Sequence, residues 1–274
     1  MRMSRGEFIS GMRKQSNQSN VDVSEIKSDR LFVIGDVHAE YELLAESLRK
    51  IPPGSAIVFL GDYNAYDGSL LLEFCSFLSG YNLQCFLIRG NHDHPVFWQQ
   101  EHMRKLLQKH TGVELLGEVD ALRWNNKSIL TVNGAVSIDR SCIRNDEGKC
   151  WPFREGVPSV ALEQIQSLVE HVGAFDVILS HAGLCEAVSI NNPFTQAYAS
   201  TDDTLIEDLT NERALMLRIL IASGATLSAY GHFHRNCTDE IYGVSHHCLN
   251  ICSVAELLLN GDGAVELHQF YKPL

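Results

Sequence analysis

Five short segments of this 274-residue chain concentrate imidazole, carboxylate and amide groups: Gly35-Asp36-Val37-His38, Gly61-Asp62, Gly90-Asn91-His92-Asp93, Ser180-His181 and Gly231-His232-Phe233-His234. Nitrogen and carboxylate-oxygen donors without thiolate suit Mn, Fe, Zn or Ni and argue against a closed, cysteine-rich structural site. Residues two apart on an extended segment point to one side. Asp36 with His38, and His232 with His234, are therefore expected to aim pairwise at a common point. Two cations held side by side need a bridging group, and a carboxylate such as Asp62 can give one oxygen to each. Each segment alone has a plain explanation, since a Gly-Asp turn is common and a lone His-x-His is more often a surface or core pair. Five together, all with suitable donors, point to a metal pair.

Each of the five directly follows an apolar run, at residues 31–34, 56–60, 84–88, 176–180 and 225–230, which reads as a buried strand. Amphipathic periods between the runs predict helices over 40–50, 69–79, 96–110, 159–172 and 203–223. Further strands are expected at 128–132, 247–252 and 264–271. Alternating strands and helices indicate an α/β fold with largely parallel strands. The carboxyl ends of such strands share one edge, where ligands bind. Glycine recurs there because the chain turns sharply and must approach what it binds. Residues 140–158 lack a period and read as a long loop, more often functional than idle. Residues 1–29, polar and including Gln15-Ser-Asn-Gln-Ser-Asn20, are expected to form a loose arm, and residues 30–274 a single domain without linker or repeat.

An apolar content of 45% is that of a chain that buries a core, and the net charge of −12 argues against a surface built for nucleic acid or anionic membrane. A small phosphorylated substrate remains compatible, because bound cations reverse the local sign. The eight cysteines include no C-x-x-C pair, and Cys75 and Cys85 sit inside apolar runs as buried thiols would. Cys248 and Cys252, just after His246-His247, have metal-like spacing but no matching second pair. No apolar run reaches the ~20 residues of a membrane span. The first residues hold no apolar stretch of the signal-peptide kind. A reduced, cytoplasmic enzyme is expected.

In order, D-x-H, G-D, G-N-H-D, S-H and G-H-x-H resemble the calcineurin-like metallophosphoesterase superfamily over roughly residues 31–255. Residues 132–140, Trp151-Pro152 and Glu155 are similar to its small bacterial and phage-type members. The resemblance implies two facing mixed β-sheets flanked by helices, a four-layer αββα sandwich, with a dinuclear centre at one sheet edge. It implies Asp36, His38, Asp62 and His234 around one metal ion, and Asp62, Asn91, His181 and His232 around the other. His92 matches the family's non-ligand histidine, which contacts phosphate and can protonate the leaving oxygen. The implied activity is hydrolysis of a phosphate ester by a metal-bound hydroxide, with Mn, Fe or Zn. A phosphomonoesterase acting on a small phosphorylated molecule or a phosphoprotein is the leading expectation. The alternatives are a phosphodiesterase on cyclic nucleotides or nucleic acid, and a protein-binding scaffold of the same fold. Filled ligand positions and an intact His92 speak against the scaffold.

Departures from the family's patterns matter too. Its phosphoprotein phosphatases carry a D-R-G element after the second Gly-Asp, where this chain has Gly61-Asp-Tyr-Asn-Ala-Tyr-Asp-Gly68. The carboxylate that would orient His92 and the arginine that would clamp phosphate are missing, and the displaced Asp67 is the nearest substitute. Purple acid phosphatases place a tyrosine ligand where Ala65 stands, and Tyr63 and Tyr66 are off that spacing. Arg89, Arg140, Arg154 and Arg235 are candidates for phosphate contact, because guanidinium offers phosphate two donors. Arg140 and Arg235 lie beside strand-end loops and are favoured, with Asn91 as a further substrate contact. Trp151 is expected to pin the long loop. Asp93 and His94 are given no ligand role.

Overall fold

The apolar runs become strands buried on both faces. The computed structural model describes residues 23–143, 155–184 and 193–273. In chain order these form β1 (Val23–Glu25), β2 (Leu31–Ile34), α1 (Tyr41–Lys50), β3 (Ala56–Phe59), α2 (Gly68–Ser79), β4 (Gln84–Leu87), α3 (Val96–Gln99), α4 (Glu101–Thr111) and β5 (Glu114–Leu115). There follow β6 (Val119–Trp124), β7 (Lys127–Val132), α5 (Arg140–Ile143), α6 (Ala161–Val172), β8 (Val177–Ser180), α7 (Pro193–Ala199) and α8 (Leu205–Ser223). The chain closes with β9 (Leu227–Tyr230), β10 (Cys237–Ile241), β11 (Val244–Cys248), β12 (Val254–Leu259) and β13 (Val265–Tyr271).

The strands build two mixed sheets, ordered β1-β6-β7-β8-β9-β11-β10 and β13-β12-β2-β3-β4-β5. Alternation along each strand sends side chains to different layers. Leu31, Val33 and Val58 of one sheet meet Val177, Leu179 and Leu227 of the other in a shared core. Phe32, Ile34 and Phe59 turn outward onto Leu44 of α1, Leu71 and Phe74 of α2 and Leu107 of α4. Across the molecule, Leu130, Val132 and Ile178 pack on Ile165 of α6 and Met216 and Ile219 of α8. Burial on both faces is why these strands read as unbroken apolar runs. The result is the expected αββα sandwich. Among the described residues no helix is long and apolar enough to cross a membrane.

Four local expectations change. The strand expected at 247–252 ends at Cys248, because Tyr242 and Gly243, both at positive φ (55° and 74°), form a hairpin that sets β11 earlier in register against β10. Cys252 leaves the sheet and its amide donates to the Asp36 carbonyl. The helix expected over 96–110 breaks at Gln100, whose backbone is extended. Part of the expected N-terminal arm, Val23–Glu25, pairs in parallel with β6 and leaves Ile26 buried. Within the expected loop at 140–158, Arg140–Ile143 is a short helix, and Arg154 and Trp151 lie outside the described residues.

Candidate metal centre

Five parallel strands deliver the donor loops to facing sheet edges. Asp36 and His38 follow β2, Asp62 follows β3, Asn91 and His92 follow β4, His181 follows β8, and His232 and His234 follow β9. The Asp36–His38 and His232–His234 segments are not extended, as the sequence suggested, but turn tightly. His38, Asp62, His232 and His234 have φ of 47°, 57°, 67° and 48°, in the left-handed region. That region costs an L-residue roughly 1–2 kcal/mol, and such strain gathers at functional sites. The backbones also approach closely. A Cβ on Gly90 would stand 2.0 Å from Asp62 Oδ1, and one on Gly231 would stand 2.0 Å from Asp36 Oδ1. Any side chain at either glycine would displace a carboxylate.

The donor atoms fall into two groups that share Asp62: Asp36, His38, Asp62 and His234, and Asp62, His181 and His232, each within 4.8 Å of its neighbours. His38 Nε2 and His234 Nε2 are 2.8 Å apart. His234 Nε2 is 3.2 Å from Asp36 Oδ2, and His181 Nε2 is 2.8 Å from Asn91 Oδ1. Asp62 Oδ2 lies 3.4 Å from both His38 Nε2 and His181 Nε2, yet it is buried without a hydrogen-bond partner. Its other oxygen accepts the His92 amide at 2.9 Å. A buried carboxylate oxygen left unpaired costs folding free energy. A cation common to the surrounding donors would satisfy it, so the donor set fits metal ions.

Electrostatics agree. Burial acts most strongly on Asp62 and toward protonation, but His181, His92 and His38 hold its carboxyl well below the usual range. Burial likewise opposes a charge on His181, and Asp62 and Asp36 overrule it and raise its pKa. Burial, assisted by His181, drives His232 down to about 3, and burial also lowers His38. The carboxylates demand positive charge nearby, which raises His181 and, through the hydrogen bond to Asp36, His234, while desolvated His38 and His232 keep the neutral lone pair that a metal ligand requires.

Groups behind the donors hold them in place. His181 Nδ1 donates to the Leu60 carbonyl at 2.6 Å, which turns Nε2 toward Asn91 and Asp62. Asn91 Nδ2 donates to Ser137 Oγ at 2.7 Å, so its oxygen faces His181. The Ser137 amide in turn donates to buried Glu155. Asp93 accepts the amides of Asp62, Tyr63 and Gly90, each at 2.9 Å, and of Ala65 at 3.2 Å. Burial, then the charge of Asp62, raises Asp93 to about 6. The sequence reading missed Ser137 and the bracing role of Asp93; the aspartate of the Gly-Asn-His-Asp run was the available signal.

The remaining candidates separate clearly. Arg140, expected to meet substrate, is buried and committed elsewhere: its Nε is 2.7 Å from Asp202 Oδ2 and its Nη2 is 2.6 Å from Asp208 Oδ2. Arg89 is also buried and braces the backbone through Gly90 O and Glu155 O. Arg235 is exposed and lines the cleft in front of the donors. Asp67 does not orient His92; it caps α2 by accepting the Ser69 and Leu70 amides. Tyr63 is no donor either, since its hydroxyl donates to Ile88 O. His94 Nδ1 accepts the Val96 amide, at the start of α3. Neither Cys248 nor Cys252 joins a donor group among the described residues.

Comparison with known proteins points the same way. A family profile described as calcineurin-like phosphoesterase matches residues 30–236. No curated protein gives a significant match. One solved structure aligns with a TM-score of 0.58 at 12% identity, over 89% of this chain and 99% of the other. The protein TT1561 of Thermus thermophilus aligns with a TM-score of 0.55 at 13% identity, over 88% and 98%. A dimetal phosphatase from Danio rerio aligns with a TM-score of 0.51 at 12% identity, over 88% and 99%. At such identities the likeness is one of fold. The profile, however, spans most of the chain and every donor segment, and the chain belongs to the calcineurin-like phosphoesterase family.

Proposed function

We propose that this protein is a metal-dependent phosphoric ester hydrolase acting on phosphomonoesters, and that it uses two metal ions. Asp36, His38, Asp62 and His234 would hold one ion, and Asp62, Asn91, His181 and His232 the other. The observation that carries this reading is Asp62 Oδ2, buried without a hydrogen-bond partner at equal distance from His38 and His181. Donor type suits Mn, Fe or Zn, with Ni also compatible. Such ions supply a water of lowered pKa and neutralise phosphoryl oxygens.

The chain's own residues supply the rest. His92 borders the cleft outside both donor groups, and its backbone is held by Asp62 Oδ1. Its ring makes no hydrogen bond to a described residue and is available to give a proton to the leaving oxygen. Arg235, at the cleft, is the guanidinium positioned to meet a phosphoryl oxygen. The net charge of −12 favours a small phosphorylated substrate over a polynucleotide. Free thiols at Cys75, Cys85, Cys237, Cys248 and Cys252 suit a reducing compartment such as the cytoplasm.

The test compares p-nitrophenyl phosphate with bis(p-nitrophenyl) phosphate, with Mn²⁺ and with a chelator. Metal-dependent turnover is expected, faster on the monoester. Faster diester cleavage would instead make the protein a phosphodiesterase. No metal-dependent turnover of either ester would reject the hydrolase reading in favour of a scaffold.

A further inference from the structure

The cleft before the donors encloses about 410 Å³, in the range of pockets that take a whole small molecule. Its lining includes one carboxylate that belongs to no donor group, that of Asp139. Asp139 comes from the loop after β7, a strand parallel to β8, so this loop reaches the same rim as His181. The loop is held on both sides of Asp139. Two residues earlier, Ser137 Oγ accepts from Asn91 Nδ2 at 2.7 Å. The next residue, Arg140, is locked to Asp202 and Asp208, so the nearest cation in sequence does not neutralise Asp139.

Among the described residues the Asp139 carboxylate has no hydrogen bond and no ion pair, although it is half-buried at the cleft. A carboxylate partly withdrawn from water without a partner costs free energy that a bound cation offsets. Asp139 repels a phosphoryl dianion, so it does not serve that end of a substrate. It suits a leaving group of the opposite sign. The rings at the cleft suit the same group. Ser141 Oγ and Thr201 Oγ1, 2.9 Å apart, tie the Asp139 turn to the end of α7, whose Tyr198 lines the cleft. Phe233, between the two donor histidines, lines it as well, and its ring is backed edge-on by Tyr230 at 6.0 Å. Aromatic faces attract ammonium groups, primary and quaternary alike.

We infer that the cleft selects phosphomonoesters whose leaving group carries a cationic amine, which pairs with Asp139 beside the rings of Tyr198 and Phe233. This rests on the hydrolase reading above and names its substrate class. The amine takes no part in the bond changes and keeps its charge throughout. Water adds to phosphorus and loses a proton to solvent, the ester P–O bond breaks, and the amino alcohol departs with a proton from His92. The cation can be a primary ammonium, which donates N–H to Asp139, or a quaternary one, with methyl groups in place of N–H.

Two measurements on the Mn²⁺-loaded full chain decide the matter. In the first, kcat/KM is measured for two pairs of esters matched in shape, in the wild type and in Asp139→Asn. The pairs are phosphoethanolamine with propyl phosphate, and phosphocholine with 3,3-dimethylbutyl phosphate. The cationic member is expected to be preferred, and the cationic-to-neutral ratio should fall about tenfold in the variant, mostly through KM; Asp139→Glu should keep the preference. A preference in the first pair alone assigns a primary ammonium, and one in the second pair alone a quaternary one. Ratios near unity in the wild type, or unchanged in Asp139→Asn because charged and neutral esters lose equally, overturn the inference and leave the hydrolase reading intact. The second measurement compares the binding of 3-aminopropylphosphonate and butylphosphonate by calorimetry. If no ester is hydrolysed but the aminophosphonate still binds about tenfold tighter and loses that advantage in Asp139→Asn, the activity reading fails and the ammonium site stands. Equal binding of the two phosphonates overturns the ammonium site.

Discussion

The Asp93 carboxylate accepts the amide of Asp62 at 2.9 Å, and with the same oxygen it accepts the amide of Gly90. One buried side chain thus ties the loop carrying Asp62 to the loop carrying Asn91. In Asp93→Asn an amide NH₂ must face backbone donors, leaving at least one N–H unsatisfied at about 1–3 kcal/mol. The melting temperature is expected to fall, and metal affinity to fall about 10–100-fold, as for other groups that orient ligands. Thermal unfolding and metal titration check this; an Asn variant equal to wild type in both would remove Asp93 from the bracing role.

Asp62→Asn tests the shared donor directly. An amide has only one oxygen to offer, so the two donor groups lose their common member. Elemental analysis after dialysis should find both ions lost or sharply reduced. A fully loaded Asn variant would show that Asp62 bridges nothing.

For His92→Ala the expectation is the opposite pairing. Metal content should match wild type, because His92 belongs to neither donor group. Turnover of an aryl phosphate should drop by about 10²–10⁴-fold, the usual contribution of a general acid. Full activity in this variant would rule out the proton-donating role.

Arg140 makes a stability statement instead of a catalytic one. Removing one partner of a buried pair costs about 3–5 kcal/mol, so Arg140→Met should lower the melting temperature by many degrees at neutral pH. The hydrogen bond from Arg140 holds Asp202 down to about 2 in the folded protein, while a free aspartate titrates near 4. A depressed folded-state pKa means that this stabilisation is complete above pH ~4 and is lost as pH falls toward ~2. The gap in melting temperature between wild type and Arg140→Met should therefore narrow across that window. A gap that stays constant from neutral pH to pH ~2 would mean that the Asp202 pairing contributes little.

The sequence alone carried much of this protein. The identities of Asp36, His38, Asp62, Asn91, His181, His232 and His234, and their place after apolar runs, announced a rim of nitrogen and oxygen donors at strand ends. Both pieces of information are local: donor chemistry belongs to a residue type, and an apolar run declares a strand wherever it lies. The layer order followed from the family resemblance together with the alternation of strands and helices.

Only the tertiary structure decided which loop residues face the site. Arg140 and Arg235 looked alike as arginines beside strand-end loops, but Asp202 and Asp208 claim Arg140, while Arg235 remains at the cleft. Asp67 looked like a partner for His92 and proved to be a helix cap, whereas Asp93, passed over as a ligand, braces two donor loops. Asp139 gave no signal until the loop after β7 brought it to the edge of the cleft. The physical reason is common to all of them. A charged or aromatic side chain in a loop takes whichever partner the folded chain brings within reach, and those partners are set by the fold, where neither spacing nor period records them.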